Sequence, residues 1–173
     1  MPKGMVLYLN GVTSTGKTTL AKAIQEKANV NFYTFSHDTF QQMISPKFLS
    51  ENYWKYLSEA IVQAYHTAKL MSDNGINVIY DGMILDTDEL KPHYQKIISI
   101  FNDSPLRLIE VSCPLEICKQ RNTERGDRWE NQSYEQSKIM AKGISYDMSV
   151  DTSVHSPEES AEIVVRNIFN SNA

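Results

Sequence analysis

The sequence predicts an α/β fold, a five-stranded parallel sheet with helices on both faces, and three observations point to it. Short apolar runs alternate with segments of helical periodicity. A glycine-rich turn with the spacing G-x-x-x-x-G-K-[ST] separates the first run from the first helical segment. No stretch rich in Pro, Gly or Ser divides the 173 residues. With 41% hydrophobic residues, the chain can build one sizeable core, so residues 1–173 are expected to form a single domain.

The elements follow in order. Met5 to Asn10 reads as the first strand, and Leu20, Ile24 and Ala28 mark a helix after the glycine-rich turn. Asn31 to Ser36 is the second strand. A long helix is expected from Tyr53 to Asp73, with Leu57, Ile61, Ala64, Ala68 and Met71 on one face and Asn74-Gly75 as its stop. Ile76 to Tyr80 is the third strand, Leu90 to Phe101 a helix, and Leu106 to Val111 the fourth strand, ahead of a helix entered at Pro114. Arg121 to Gln132 is nearly all polar and reads as a mobile excursion. A short helix near Ser133 to Lys142 and a strand near Met148 to Asp151 come next. Ser156-Pro157-Glu158-Glu159 opens the last helix, with Ser as N-cap, Pro first and Glu third.

Composition narrows the function. The net charge of −4 argues against a nucleic-acid binder that relies on overall positive charge. No apolar run reaches the roughly 20 residues of a membrane span, and the opening MPKGMVLYLNGV turns polar too soon for a signal peptide. A soluble, cytoplasmic protein is expected. The two cysteines, Cys113 and Cys118, supply neither a disulfide scaffold nor a zinc site alone and read as structural free thiols.

Gly11-Val12-Thr13-Ser14-Thr15-Gly16-Lys17-Thr18 is the sharpest signal. Its glycines let consecutive N–H groups point inward, and the following helix N-terminus adds partial positive charge where phosphate oxygens would lie. The fold class is therefore that of a P-loop NTPase, nucleoside-kinase-like. Gly11, Thr13, Ser14, Thr15, Gly16, Lys17, Thr18 and Thr19 are the candidate nucleotide-binding residues, with Lys17 on the β and γ phosphates and Thr18 offering a hydroxyl to Mg²⁺. Asp81, ending the third strand, is a second candidate metal residue or else a turn aspartate before Gly82. Gly82 stands where many ATPases carry a water-activating Glu. The chain has no Asn-Lys-x-Asp segment and no Asp-x-x-Gly switch, which argues against a Ras-type GTPase.

Asp38, just after the second strand, is the candidate general base for an acceptor hydroxyl; its alternative role is N-cap of the next helix with Gln41 at the third position. His37 is a weaker candidate for substrate contact. Arg121, Arg125 and Arg128 are spaced to share a helical face and make a candidate lid over residues 121–142, with Arg125 and Arg128 as catalytic cations. A solvated face tied by Glu124 to Arg128 is the alternative. Trp129 either covers the site or packs on the lid's base. Phe40, Met43, Phe48, Tyr53, Trp54 and Tyr56 either wall a small-molecule pocket or belong to the core.

These residues resemble the chloramphenicol 3′-O-phosphotransferases and their relatives among P-loop kinases. The likeness is carried by Leu9-Asn10-Gly11, Ser36-His37-Asp38, Arg121-Asn122-Thr123-Glu124-Arg125-Gly126-Asp127-Arg128, and Tyr146-Asp147 with Val150-Asp151-Thr152-Ser153. It is weak from Tyr53 to Tyr65. The resemblance implies transfer of a phosphoryl group from ATP, with Mg²⁺, to a hydroxyl of a small molecule, with Asp38 as catalytic aspartate and the arginines as lid. It also implies that Asp151 to Ser153 borders the adenine, which makes Arg121, Thr152 and Ser153 candidate nucleotide contacts. Chloramphenicol is one candidate acceptor; a metabolite or nucleotide kinase of the same fold, or a nucleotide-dependent switch without an acceptor, are the alternatives. Apart from Arg107, the arginines lie in the lid or the last helix, which disfavours a nucleotide acceptor.

Overall fold

The computed structural model describes residues 2–170. Five parallel strands run in the order β2-β3-β1-β4-β5. They are β1 (Val6–Asn10), β2 (Phe32–Ser36), β3 (Asn77–Gly82), β4 (Leu106–Ser112) and β5 (Met148–Asp151). β1 is central and buried throughout, and its side chains alternate between two cores, as the pleat requires. Val6 and Tyr8 pack under α4 (Tyr53–Asp73) and α5 (His93–Ile100), whereas Leu7 and Leu9 pack under α1 (Lys17–Lys27) and α8 (Pro157–Asn170). The remaining helices are α2 (His37–Gln41), α3 (Pro46–Glu51), α6 (Leu115–Arg125) and α7 (Gln132–Ile139). Among the described residues no helix is long and apolar enough to cross a membrane.

The long helix α4 spans the residues its periodicity predicts, and α8 opens with the expected reciprocal cap: Ser156 N–H donates to Glu159 Oε2 (2.8 Å) and Glu159 N–H to Ser156 Oγ (3.2 Å). Two expectations change. α5 begins at His93 instead of Leu90, because Pro92 lacks an N–H and disfavours helical geometry at Lys91. The stretch Arg121 to Gln132 is not an excursion from its first residue: α6 continues to Arg125 and ends where Gly126 adopts φ 71°. Its inner face buries Cys118 and Asn122, so hydrophobic periodicity could not reveal it.

β3 also runs on to Gly82, which pairs with Asn10, while Asp81 pairs with Ser36. A Cβ at Gly82 would lie 2.7 Å from the Tyr8 hydroxyl and 2.5 Å from the Tyr80 ring, so no Glu fits there. At the amino ends of the strands, Lys3 and Lys69 share Asp73 and Asp103 in a four-charge clasp.

Beneath the sheet's carboxyl end lies a buried polar chain. His93 Nδ1 meets both the Leu85 N–H (2.8 Å) and the Leu85 carbonyl (3.1 Å), its Nε2 shares a hydrogen bond with Tyr65 Oη (2.6 Å), and Tyr65 in turn meets Tyr8 (2.9 Å). Burial lowers the His93 pKa from 6.5 to about 4. The unfolded chain therefore binds a proton that the folded chain refuses between these values. Stability should fall as pH drops from 6.5 towards 4, by up to about 3 kcal/mol from this group. Urea unfolding across that window should show the decline, and His93→Gln should flatten it; the residue of the slope comes from His37, whose pKa burial also lowers, and near pH 4 from carboxylates such as Asp103, which Lys3 and Lys69 hold low. An unchanged slope in the variant would refute the assignment.

Candidate active site

The turn between β1 and α1 contains two residues of positive φ, Ser14 at 61° and Gly16 at 90°. Glycine takes this conformation freely; serine does not. Ser14 is held in it by its hydroxyl, which donates to Asn122 Oδ1 (2.6 Å), and its carbonyl accepts from Arg121 (3.2 Å). The adjoining Val12–Thr13 peptide is gripped on both sides. Its carbonyl accepts from Lys17 Nζ (2.9 Å) and Thr15 Oγ1 (3.0 Å), and its N–H donates to Gln136 Oε1 (2.7 Å). α7 adds a bond from Ser133 Oγ to Thr13 O (3.0 Å).

Asn122 is wholly buried, and both ends of its carboxamide are used: Oδ1 accepts from Ser14, and Nδ2 donates to Glu130 O (3.1 Å) and Ser133 Oγ (2.9 Å). Arg121 is a strut. It reaches Ser14 O, Thr152 Oγ1 (3.1 Å) and Thr152 O (3.1 Å), so most of its guanidinium is committed to the protein. Thr152 Oγ1 continues to Thr15 O (2.6 Å).

Two carboxylates face the loop. Asp81 Oδ2 accepts from the Thr18 hydroxyl (2.6 Å), and Oδ1 lies 3.7 Å from Lys17 Nζ. Burial lowers the Lys17 pKa, and the charges of Asp81 and Asp38 oppose that shift. The Thr18 and Asp81 oxygens suit a hard cation that takes its other ligands from phosphates and water. Among the described residues no group of three or more His, Cys, Asp or Glu is assembled to hold a metal by itself.

Asp38 stands in the first turn of α2. The N-cap of that helix is Ser36, whose N–H reaches Thr39 Oγ1 (3.4 Å), so the expected Asp38–Gln41 capping box is not built. Asp38 is half exposed, with Oδ1 3.4 Å from His37 Nε2 and Oδ2 3.9 Å from the Arg128 guanidinium. Arg125 forms a two-pronged pair with Asp127 (3.1 Å each), which holds the Asp127 carboxyl below its usual range. The three arginines do not share one helical face, because α6 stops at Arg125 and Arg128 follows the turn at Gly126. All three nonetheless line the same cavity, whereas the expected Glu124–Arg128 tie is absent: Arg128 lies near Asp38 and Asp127 instead.

That cavity measures about 840 Å³, within the range of small-ligand sites. The strand order puts the exits of β2 and β5 on opposite sides of the phosphate-type loop. One end is lined by Thr19, Thr152, His155, Pro157 and Ser160, and the middle by Gly11, Thr13, Ser14, Gly16, Lys17, Thr18 and Asp81. The other end holds His37, Asp38, Gln41 and Gln42 beside an apolar wall of Tyr53, Trp54, Leu57, Met83, Leu85 and Ile139. Gln132 and Gln136 of α7 join the arginines along the remaining side.

Of the expected site residues, Thr15 and Ser153 do not line this space. Thr15 is buried within the loop, and Ser153 turns to Asp151 Oδ1 through its N–H (2.8 Å) and hydroxyl (2.6 Å). The aromatic cluster divides: Tyr53 and Trp54 reach the cavity, Phe40 packs against the core and Phe35, and Met43 and Phe48 are exposed. Trp129 is exposed and lies outside the cavity lining. Cys118 is buried with its thiol pushed up to about 12, first by burial, which fits an inert packing role. Sequence reasoning missed Asn122, Ser133 and Gln136 as parts of the site. The i, i+4 spacing of Gln132 and Gln136 was the one available sign.

Comparison with known proteins agrees with this picture. Residues 4–169 match the model of the chloramphenicol phosphotransferase-like proteins. A Mycobacterium tuberculosis protein provisionally named an O-phosphotransferase is 26% identical over 176 residues, covering 88% of this chain and 76% of that protein. The bifunctional enzyme CysN/CysC of Rhodopirellula baltica is 23% identical over 94% of this chain, which spans 26% of that enzyme's length. The structure of the M. tuberculosis APS kinase CysC in complex with AMPPNP and APS superposes with a TM-score of 0.71 at 16% identity, covering 98% of this chain and 99% of that one. Matched from residue 4 to residue 169 and folded as the P-loop kinases are, the chain belongs to the chloramphenicol phosphotransferase-like family.

Proposed function

We propose that the protein is an ATP-dependent phosphotransferase that moves the γ-phosphoryl group to a hydroxyl of an uncharged, partly apolar small molecule, chloramphenicol being one candidate. The observation that carries the reading is the position of Asp38: half exposed, beside Arg128, at the end of a cavity whose middle is lined by Lys17, Thr18 and Asp81. In this reading Gly11, Thr13, Ser14, Gly16, Lys17, Thr18 and Thr19 hold the triphosphate, and Thr152 borders the base with Arg121 behind it. Thr18 and Asp81 would hold Mg²⁺, which when bound neutralises phosphate charge. Asp38 orients the acceptor hydroxyl and takes its proton as the new O–P bond forms and the bond from the γ-phosphorus to the bridging oxygen breaks, releasing ADP. Arg125 and Arg128 stabilise the transferring group, on a lid at 121–142.

The acceptor's character follows from the wall it would meet. Tyr53, Trp54, Leu57, Met83, Leu85 and Ile139 are apolar or aromatic, and Gln41 and Gln42 offer neutral hydrogen-bonding groups. Among the described residues, no Lys or Arg beyond Arg125 and Arg128 lines that end to recognise an acceptor carboxylate or phosphate.

ADP release with ATP and Mg²⁺, measured with and without a panel of neutral and anionic alcohols, tests the proposal. Strong stimulation by neutral alcohols is expected; turnover indifferent to any acceptor would overturn it in favour of a nucleotide-dependent switch. Asp38→Asn should lower turnover on the order of 10²- to 10⁴-fold with ATP affinity nearly unchanged by calorimetry. Unchanged turnover would exclude Asp38 as the base. Arg128→Ala should reduce kcat more than it raises the KM for acceptor, because the guanidinium acts on charge that builds during transfer.

A further inference from the structure

The conspicuous side chain without a role in this scheme is Gln136. It reaches the loop from 123 residues away, and its Oε1 accepts the Thr13 N–H at 2.7 Å. An amide of a phosphate-binding loop is thereby held by the protein itself. A fixed oxygen fixes the rest of the carboxamide, whose Nε2 group carries two donors, and Gln136 itself lines the cavity.

The surroundings say where those donors lie. One turn before Gln136, Ser133 is bolted to Thr13 O and Asn122. One turn after it, Ile139 joins the apolar wall, where Asp86 N–H donates to Ile139 O (2.7 Å) and Leu85 bridges Met140. Gln136 thus stands between the loop and the acceptor wall, on the Val12–Thr13 peptide whose carbonyl binds Lys17. Lysine at this position of the motif reaches the β and γ phosphates.

We infer that Gln136 is a positioning residue for the γ-phosphoryl group: Thr13 N–H anchors its oxygen, and its Nε2 donates to a γ-phosphoryl oxygen, a contact that a nucleoside diphosphate cannot make. The inference rests on the nucleotide reading above and assigns α7 a part in distinguishing substrate from product. It also accounts for an amide at this position. A carboxylate would keep the bond to Thr13 and repel the phosphate, whereas an ammonium would lose the anchor.

Calorimetric titration of the Mg²⁺ complexes of AMPPNP and ADP, with Gln136→Glu and Gln136→Ala beside the unaltered chain, tests this. Gln136→Glu preserves the anchor on the loop, and Gln136→Ala controls for the introduced charge. Both should weaken AMPPNP relative to ADP, roughly 10- to 100-fold for a lost hydrogen bond to a charged group, while thermal melting confirms that each remains folded. An AMPPNP-to-ADP ratio unchanged in both variants, or equal weakening of the two nucleotides, would mean that Gln136 only ties α7 to the loop, and the inference would fail while the nucleotide reading stands. If the unaltered chain takes up neither nucleotide, both fail together.

Discussion

The buried carboxamide of Asn122 is the joint on which the cavity depends. A primary amide taken out of water is costly unless its donors and acceptor are matched, and here Ser14, the Glu130 carbonyl and Ser133 match them. These partners belong to the turn after β1, the bend after α6 and the start of α7. Satisfying one side chain therefore fixes three segments relative to one another. The left-handed Ser14, the bond from Ser133 to Thr13 and the reach of Gln136 all follow from that registration. Arg121 extends it by one step, to the segment after β5.

Electrostatics repeat the theme at larger scale. The chain is acidic overall, yet Lys17, Arg121, Arg125 and Arg128 converge on one cavity. Three of them have anionic partners: Asp81 for Lys17, Asp127 for Arg125, and Asp38 at a longer distance for Arg128. The pairing limits the cost of desolvating Lys17, whose pKa burial has already lowered. Net charge says little about such a site, because the field inside a cleft is set by the few groups that line it.

Much of this was legible in the sequence, for identifiable reasons. The strands and α4 announced themselves by apolar pattern, and α8 by its cap. The G-x-x-x-x-G-K-T spacing located the loop because backbone curvature leaves few alternatives to glycine at its ends. Asp38 and Asp81 are placed at one sheet edge by fold topology, and the arginines are added by their spacing beside a phosphate loop and by the family resemblance; all of them line one cavity. What stayed hidden was polar and long-range. α6 could not be followed past Cys118 because its buried face continues with Asn122, a residue that reads as surface in any hydropathy pattern. Arg121 is a strut because Thr152 and Ser14 converge on it, and neither proximity is written locally. The aromatic group between 40 and 56 has no period that separates cavity from core, so Tyr53 and Phe40 looked alike.

The two ends of the cavity are drawn from different stretches of chain. Residues 152–160 supply one; residues 37–57, 83–85 and 139 supply the other, with the loop between them. Side chains that share no neighbours contribute almost independently to stability and affinity. Mutational drift at Tyr53, Trp54, Leu57, Met83, Leu85 and Ile139 can thus remodel what the cleft accommodates while Asp38, the first set and the glycine-rich turn stay as they are, so this scaffold is open to exchange of clientele without rebuilding its engine.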